Sequence, residues 1–288
     1  MNKPVIAITG VTGFIGSSIA RALLDNGYDV ISLVRQENTT VAGNETRFFD
    51  LQLLPPADLL KGADILIHCA FVDHNKNKQA SLINYSGTKQ LLENAALNGI
   101  GKIIFFSTIS ANATNTSEYG KNKWQLEALF ETSRDVIIKP GLVIGKNGLF
   151  GRLLKNILSK KIVPLVNGGK QPMQVVGLED VVLALTRIIK NNLTGAYILA
   201  NTQRLTYREF FRLVAIHYKI KLLYLPIPGR LLSILMDMAA MVGITLPVGK
   251  ENIKSLESLA YTDPSESLEK LKIEPRSLED ILRGLPKL

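Results

Sequence analysis

Tyr119 and Lys123 are four residues apart, the spacing that puts two side chains on one face of a helix. A tyrosine alone, with a pKa of about 10, is a poor base at neutral pH. An ammonium a few ångströms away favours the phenolate and brings the hydroxyl into range for general acid–base work. The same spacing arises by chance in a lysine-rich chain, and it recurs at Tyr85 and Lys89. The preceding sequence separates the two pairs. Ile103–Phe106 reads as a strand whose C-terminal end carries Ser107, Thr108 and Ser110, hydroxyls able to polarise a carbonyl at the mouth of a sheet. Alternation along a strand sets Thr108 and Ser110 on one side and Ser107 on the other. Thr108 is therefore the first choice for that hydroxyl, Ser110 the second and Ser107 the third, and Tyr85 has no comparable partner.

A second constellation suits an anion. Thr9-Gly10-Val11-Thr12-Gly13-Phe14-Ile15-Gly16 lies where the apolar run Val5–Thr9 ends and a helical pattern begins. Glycines allow a tight turn and close approach of the backbone to a phosphate, while the free N–H groups and dipole of the helix favour negative charge. The spacing is G-x-x-G-x-x-G rather than G-x-G-x-x-G, but the physics is shared, and the pyrophosphate of a nicotinamide dinucleotide is the ligand it fits. The second strand ends Leu33-Val34-Arg35. A basic residue there accepts a ribose 2′-phosphate, and an acidic one binds the 2′-hydroxyl. Arg35 thus favours NADP over NAD, and Glu37 is the argument for NAD. Asp50, after Arg47-Phe48-Phe49, suits the adenine amino group or, equally, a turn.

Positioning these groups requires strand ends gathered along one edge. Short apolar runs at Val5–Thr9, Asp29–Val34, Ile65–Cys69, Ile103–Phe106, Val136–Lys139 and Ala196–Leu199 alternate with helical patterns at Ile15–Asn26, Ala80–Asn98, Glu118–Ser133 and Glu179–Lys190. Runs buried on both faces and joined by crossover helices predict an α/β fold, a doubly wound parallel sheet with its ligands at the carboxyl ends of the strands. After Pro140 the rhythm loosens among glycines, and from about Asn201 the chain reads as helical without clear strand alternation. The expected division is a dinucleotide-binding domain of residues 1–144 and 175–200, with a smaller, mainly helical C-terminal substrate lobe of residues 145–174 and 201–288.

Composition narrows the remaining classes. With 46% hydrophobic and 20% charged residues, the chain has an ordinary globular balance. Its formal charge of +9 comes without a basic run interleaved with aromatics, which argues against nucleic acid and for attraction of phosphorylated metabolites. Cys69 is the single cysteine, so no intrachain disulfide forms. No Cys/His cluster has zinc spacing, and no metal is expected. His68 and Cys69 are adjacent on a strand and point to opposite faces, which excludes a nucleophile dyad. His68 is expected to pack near the cofactor and Cys69 to behave as a small buried hydrophobe. The N-terminal apolar stretch is too short for a signal peptide, and a reducing cytoplasm is the expected location. Leu231–Val248 is apolar but interrupted by Asp237, short of the roughly twenty residues that span a bilayer. It reads as a buried or interface helix, with a peripheral membrane contact through 231–248 as the alternative.

Together these residues resemble the extended short-chain dehydrogenase/reductase superfamily, in its NAD-dependent epimerase/dehydratase branch. The resemblance covers nearly the whole chain. It is carried by the glycine turn, Asp64-Ile65-Leu66-Ile67-His68-Cys69-Ala70, Asn84-Tyr85-Ser86-Gly87-Thr88, Ser107-Thr108, Tyr119-Gly120-Lys121-Asn122-Lys123, Lys139-Pro140-Gly141 and Leu178-Glu179-Asp180-Val181. It implies Tyr119 as acid/base, Lys123 on the nicotinamide ribose and Thr108 orienting the reacting oxygen. It implies cofactor contacts from Gly10, Thr12, Gly13, Phe14, Ile15, Gly16, Arg35, Asp50, Leu51, Cys69, Ala70, Lys123 and Pro140, and substrate contacts from Ser110, Lys170 and Met173. The implied activity is hydride transfer on a nucleotide-activated sugar, and a homodimer through the helices at 80–98 and 118–133 is implied likewise. Three departures stand out. Thr108 and Tyr119 are only eleven residues apart, Met173 stands where such enzymes place an arginine against the diphosphate, and Pro228–Leu285 resembles a divergent branch that binds NADPH without known turnover. A ketone reductase with a non-nucleotide substrate and a non-catalytic NADP-binding scaffold therefore remain as alternatives.

Overall fold

The computed structural model describes residues 3–36, 39, 41, 45–74, 77–229 and 250–285. Its strands are β1 (Ile6–Thr9), β2 (Val30–Val34), β3 (Glu45–Phe48), β4 (Ile65–His68), β5 (Lys102–Phe106), β6 (Val136–Pro140), β7 (Leu142–Ile144), β8 (Ile162–Val166), β9 (Pro172–Met173), β10 (Val175–Gly177), β11 (Gly195–Leu199), β12 (Leu205–Thr206) and β13 (Leu223–Ile227). The described helices are α1 (Phe14–Asp25), α2 (Ala80–Leu97), α3 (Glu118–Glu127), α4 (Gly148–Lys160), α5 (Leu178–Lys190), α6 (Tyr207–His217), α7 (Lys250–Glu257), α8 (Ser265–Leu271) and α9 (Leu278–Arg283).

Seven strands pair in parallel in the order β3-β2-β1-β4-β5-β6-β11. Winding reverses between β1 and β4, which opens a crevice at their carboxyl ends. Strand alternation feeds two cores. Ile6, Ile8, Ile65, Ile67, Ile104 and Ile138 pack on one face against Ile19 and Leu23 of α1 and Val181, Leu185 and Ile188 of α5. Ala7, Ile31, Leu33, Leu66, Ile103 and Phe105 pack on the other against Ile83 and Leu91 of α2 and Leu126 of α3. A third cluster, with Phe150, Val163, Leu165, Met173, Phe210 and Leu278, builds a second lobe. That lobe carries the two-stranded pairs β13-β8 and β12-β9.

The architecture is the expected doubly wound sheet, with differences at its margins. The edge strand β3 was not expected, because half of it is exposed and its charged residues Glu45 and Arg47 break the apolar signal. β12 and β13 lie in the stretch read as helical. The α3 helix stops at Glu127 rather than Ser133, and the chain beyond it tucks Phe130 against Phe105 with ring centroids 4.5 Å apart. Among the described residues no helix is long and apolar enough to cross a membrane. The stretch 231–248 lies outside the described residues.

Candidate active site

The glycine turn is built by β1 and β4 together. Thr9 Oγ1 accepts from the Cys69 and Ala70 N–H groups, both at 3.1 Å, and pairs with His68 Nδ1 at 2.7 Å. Gly10 follows in the left-handed region at φ +66°, and a Cβ there would lie 2.8 Å from Ala70 N. A Cβ on Gly16 would lie 2.3 Å from Gly10 O. Gly13 caps α1 with no side-chain hydrogen bond, so the first turn of the helix opens toward the crevice as an anion site does. The Phe14 ring packs against Gly145 and Gly148 at the entrance to the second lobe. His68 Nε2 pairs with Thr88 Oγ1 at 3.0 Å. Burial, with the Lys123 charge adding, pushes its imidazole down to about 3, so His68 is a neutral strut. Burial pushes the neighbouring Cys69 thiol up to about 12, against the opposing influence of Lys123. No thiolate dyad exists in such surroundings.

Thr108 leaves the end of β5, and Tyr119 rises from the first turn of α3, which Ser117 caps by accepting from Gly120 N–H at 3.1 Å. The Thr108 hydroxyl faces that of Tyr119 and acts on it to lower its pKa, while Thr108 Oγ1 accepts from Ser110 N–H at 3.2 Å. Asn115 makes the short connection between them possible. It donates to Ser110 O at 2.7 Å and accepts from the Ser117 N–H and hydroxyl at 2.8 and 2.7 Å. Sequence reading missed this residue, although its place just before a capping serine was a usable signal.

Tyr119 is 37% exposed overall, yet its hydroxyl end is enclosed. Burial raises its pKa and the Asp73 carboxylate adds to the rise, opposed by the hydrogen bond with Thr108. In this geometry the Lys123 ammonium is turned to a backbone carbonyl and does not serve the phenolate. Its Nζ donates to Phe106 O at 2.6 Å and lies 4.3 and 4.7 Å from the ring centroids of Phe71 and Phe105. Burial lowers the Lys123 ammonium to about 7, opposed by Cys69 and Glu127. Phe71, which also meets the Tyr119 ring edge-on at 5.4 Å, is a further site residue that sequence reading did not single out.

Glu127 is another. Two turns beyond Tyr119 and one beyond Lys123, its carboxylate accepts from the Ser107 hydroxyl and from Lys139 Nζ, the latter at 2.9 Å. Lys139 also donates to Ala111 O at 2.9 Å. This chain of contacts fastens the end of β5, the loop after it and α3 to one another, so Ser107 faces away from Thr108 as the alternation requires.

The other candidates are placed as follows. Arg35 is exposed just past β2. Asp50 Oδ1 accepts from Gln52 N–H at 2.9 Å, and Leu51 beside it is buried. Pro140 is buried, and its carbonyl accepts from Ile109 N–H at 3.1 Å. Ser110 is half-buried, with its N–H directed to Thr108 Oγ1 at 3.2 Å. Lys170 is exposed beyond β8. Met173 is 8% exposed and packs in the apolar core of the second lobe. Tyr85 lies on the outer surface of α2, 41% exposed. Among the described residues no group of His, Cys, Asp and Glu is set to hold a metal ion.

The model of the NAD dependent epimerase/dehydratase family matches residues 6–200. A ceramide reductase of Caulobacter vibrioides is 26% identical over 239 residues, spanning 79% of this chain and 75% of the reductase. A UDP-glucose 4-epimerase of Vibrio cholerae is 28% identical over 195 residues, spanning 57% of this chain and 59% of the epimerase, less than two thirds of its length. In three dimensions the chain is similar to a nucleoside-diphosphate-sugar epimerase of Staphylococcus aureus, with a TM-score of 0.77 and 17% identity over 99% of this chain and 100% of that one. It is similar also to a UDP-glucuronic acid 4-epimerase of Bacillus cereus solved with UDP-glucuronic acid and NAD, with a TM-score of 0.74 and 20% identity over 97% of each chain. At these identities the structures attest the shared fold.

Proposed function

The chain belongs to the NAD-dependent epimerase/dehydratase family, and from that premise we propose that it is an NAD(P)-dependent oxidoreductase or epimerase acting on a nucleotide-activated sugar. The observation that carries this reading is the placement of Thr108 just past β5 and of Tyr119 and Lys123 one turn apart on α3, at the same edge of the sheet as the glycine turn. The turn fits a dinucleotide, because a Cβ at Gly16 would fill the space beside Gly10 O and no side chain caps α1. When bound, the nicotinamide supplies the acceptor and donor of hydride. Tyr119 takes the proton of the substrate hydroxyl as its carbon is oxidised and returns it on reduction. Thr108 orients the same oxygen, and Lys123 holds the ribose and, once turned from Phe106 O, favours the phenolate. Arg35 at the end of β2 favours NADP over NAD. Ser110 and Lys170 are assigned to the substrate, Lys170 as a point charge in place of an arginine fork.

The proposed division is a cofactor domain of residues 1–144 and 175–200 and a substrate lobe of residues 145–174 and 201–288. A homodimer is proposed through α2 and α3, whose outer faces expose Leu82, Tyr85 and Trp124, and the proposed location is the cytoplasm. The test is a screen of nucleotide sugars and simple ketones, read by NMR and NADPH absorbance, for the wild type and Tyr119→Phe. The expected result is turnover of a nucleotide sugar that falls about 10²–10⁴-fold in the variant. Turnover unaffected by the change would sink the mechanism, and turnover of ketones alone would replace the substrate class. Identifying a copurified dinucleotide decides between NADP and NAD.

A further inference from the structure

The outer face of the second lobe carries an apolar strip with a basic rim. β8 and β13 pair in parallel, with Ile162 opposite Leu223 and Pro164 opposite Leu225. Alternation sends Val163 and Leu165 into the lobe core and leaves Ile162, Leu223 and Leu225 on the opposite face, 41%, 57% and 40% exposed. Ile216, at the end of α6 where the chain turns toward β13, is 62% exposed.

Both strands of this ribbon start from the same end, and each is led in by lysines. Lys160 and Lys161 precede β8, Lys219 and Lys221 precede β13, and all four are exposed. The Leu223 N–H donates to Lys161 O at 2.8 Å, which holds the two lysine turns side by side. Lys161 and Lys219 each sit in the left-handed region, at φ 53°, just past a helix where glycine is the usual residue. Exposed Arg152 and Lys155 on α4 and Arg212 on α6 extend the positive surface. No aspartate or glutamate occurs between Asp135 and Glu179, or between Glu209 and Asp237, so the two strands and the lysine turns that lead into them carry no carboxylate. At the far end of the ribbon Glu257 of α7 accepts from Asn167 at 3.2 Å.

Single exposed apolar residues are ordinary on a protein surface. A strip of them over one ribbon, with cations along its rim and no carboxylate interspersed, matches a surface that meets acyl chains in the middle and anionic headgroups at the edge. We propose that this face docks the protein on an anionic bilayer, with Ile162, Leu223 and Leu225 at the headgroup boundary and the lysines of the two turns on lipid phosphates. The proposal uses neither the active site nor residues 231–248, so it stands apart from the substrate reading.

Cosedimentation of the full chain with vesicles tests it, using phosphatidylcholine alone and phosphatidylcholine mixed with phosphatidylglycerol. Binding to the mixed vesicles only is expected, and it should weaken as salt screens the lysines. Lys160→Glu with Lys221→Glu, both at exposed positions of ordinary backbone, should lower the partition coefficient at least about tenfold. Leu223→Ser with Leu225→Ser should lower it while keeping the dependence on salt. Melting curves and dinucleotide binding unchanged from wild type establish that each variant is folded. Wild type that stays in the supernatant with both vesicle types overturns the proposal and leaves the face to an acidic protein partner. A charge-reversed variant that binds as wild type does overturns it equally.

Discussion

Lys123→Met is expected to stabilise the cofactor-free chain at neutral pH, by an amount that shrinks as the pH rises. Lys123 is 4% exposed, and burial brings its ammonium from the ordinary 10.5 to about 7. The folded chain therefore binds this proton less tightly than the unfolded chain. Unfolding takes up a proton between pH 7 and pH 10.5, and stability rises with pH across that window. Burying this amine costs about 4 kcal/mol at pH 7 and, with the proton given up, about 2 kcal/mol at pH 9. Methionine is close to lysine in volume but leaves the Phe106 carbonyl, now paired at 2.6 Å, without its donor. That loss costs about 1–3 kcal/mol. The net expectation is a gain of roughly 1–3 kcal/mol at pH 7 and almost none at pH 9. Urea unfolding of both proteins at the two pH values measures the gap, and contributions from other titrating groups largely cancel in the difference. A gap that is the same at pH 7 and pH 9 refutes the reasoning. A more stable variant without activity would show that a costly buried cation is retained for function.

Two other substitutions probe the turn and the clamp behind it. Alanine is ordinarily worth about 1 kcal/mol over glycine inside a helix, but Gly16→Ala places a Cβ 2.3 Å from Gly10 O. It is expected to destabilise the chain and weaken dinucleotide binding at least about tenfold; fluorescence titration with NADPH and NADH checks this, and wild-type affinity would remove the turn from the cofactor site. Glu127→Gln takes the charge from between Ser107 and Lys139, whose side chain is only 19% exposed, and should cost about 1–3 kcal/mol, part of it recovered when Lys139→Met is added. Strictly additive losses in a urea double-mutant cycle would break the proposed link.

Much of the frame was legible because its strands are short apolar runs with helical patterns between them. The burial of Ile6 through Thr9 and of Val30 through Val34 on both faces follows directly from such runs. The strand-to-helix context likewise placed the glycine turn, and helical spacing placed Tyr119 beside Lys123. What escaped was set by tertiary contact. The β9–β12 pair is too short to carry a periodicity, since each strand has two residues. Asp50 had two equally good local explanations, and its bond from Gln52 N–H bears on the turn alone. The company of Met173 in the core with Phe210 and Phe211 comes from distant parts of the chain that no local pattern connects. Phe71 and Phe105 come from the ends of two different strands, so no local pattern foretold that they would flank Lys123.

That enclosure changes the expected chemistry of the pair. Sequence spacing alone makes Lys123 a fixed positive charge that lowers the tyrosine, but burial acts on both groups in the direction of neutrality, raising the phenol and lowering the ammonium. The two titrations then oppose each other. Raising the pH favours the phenolate but discharges the lysine that would support it. Glu127 is placed to counter this. It lies one turn beyond Lys123, its charge favours the ammonium, and its own oxygens are committed to Ser107 and Lys139 rather than to the reacting groups. The clamp that fixes the end of β5 against α3 therefore also contributes negative charge that partly offsets the effect of burial on Lys123.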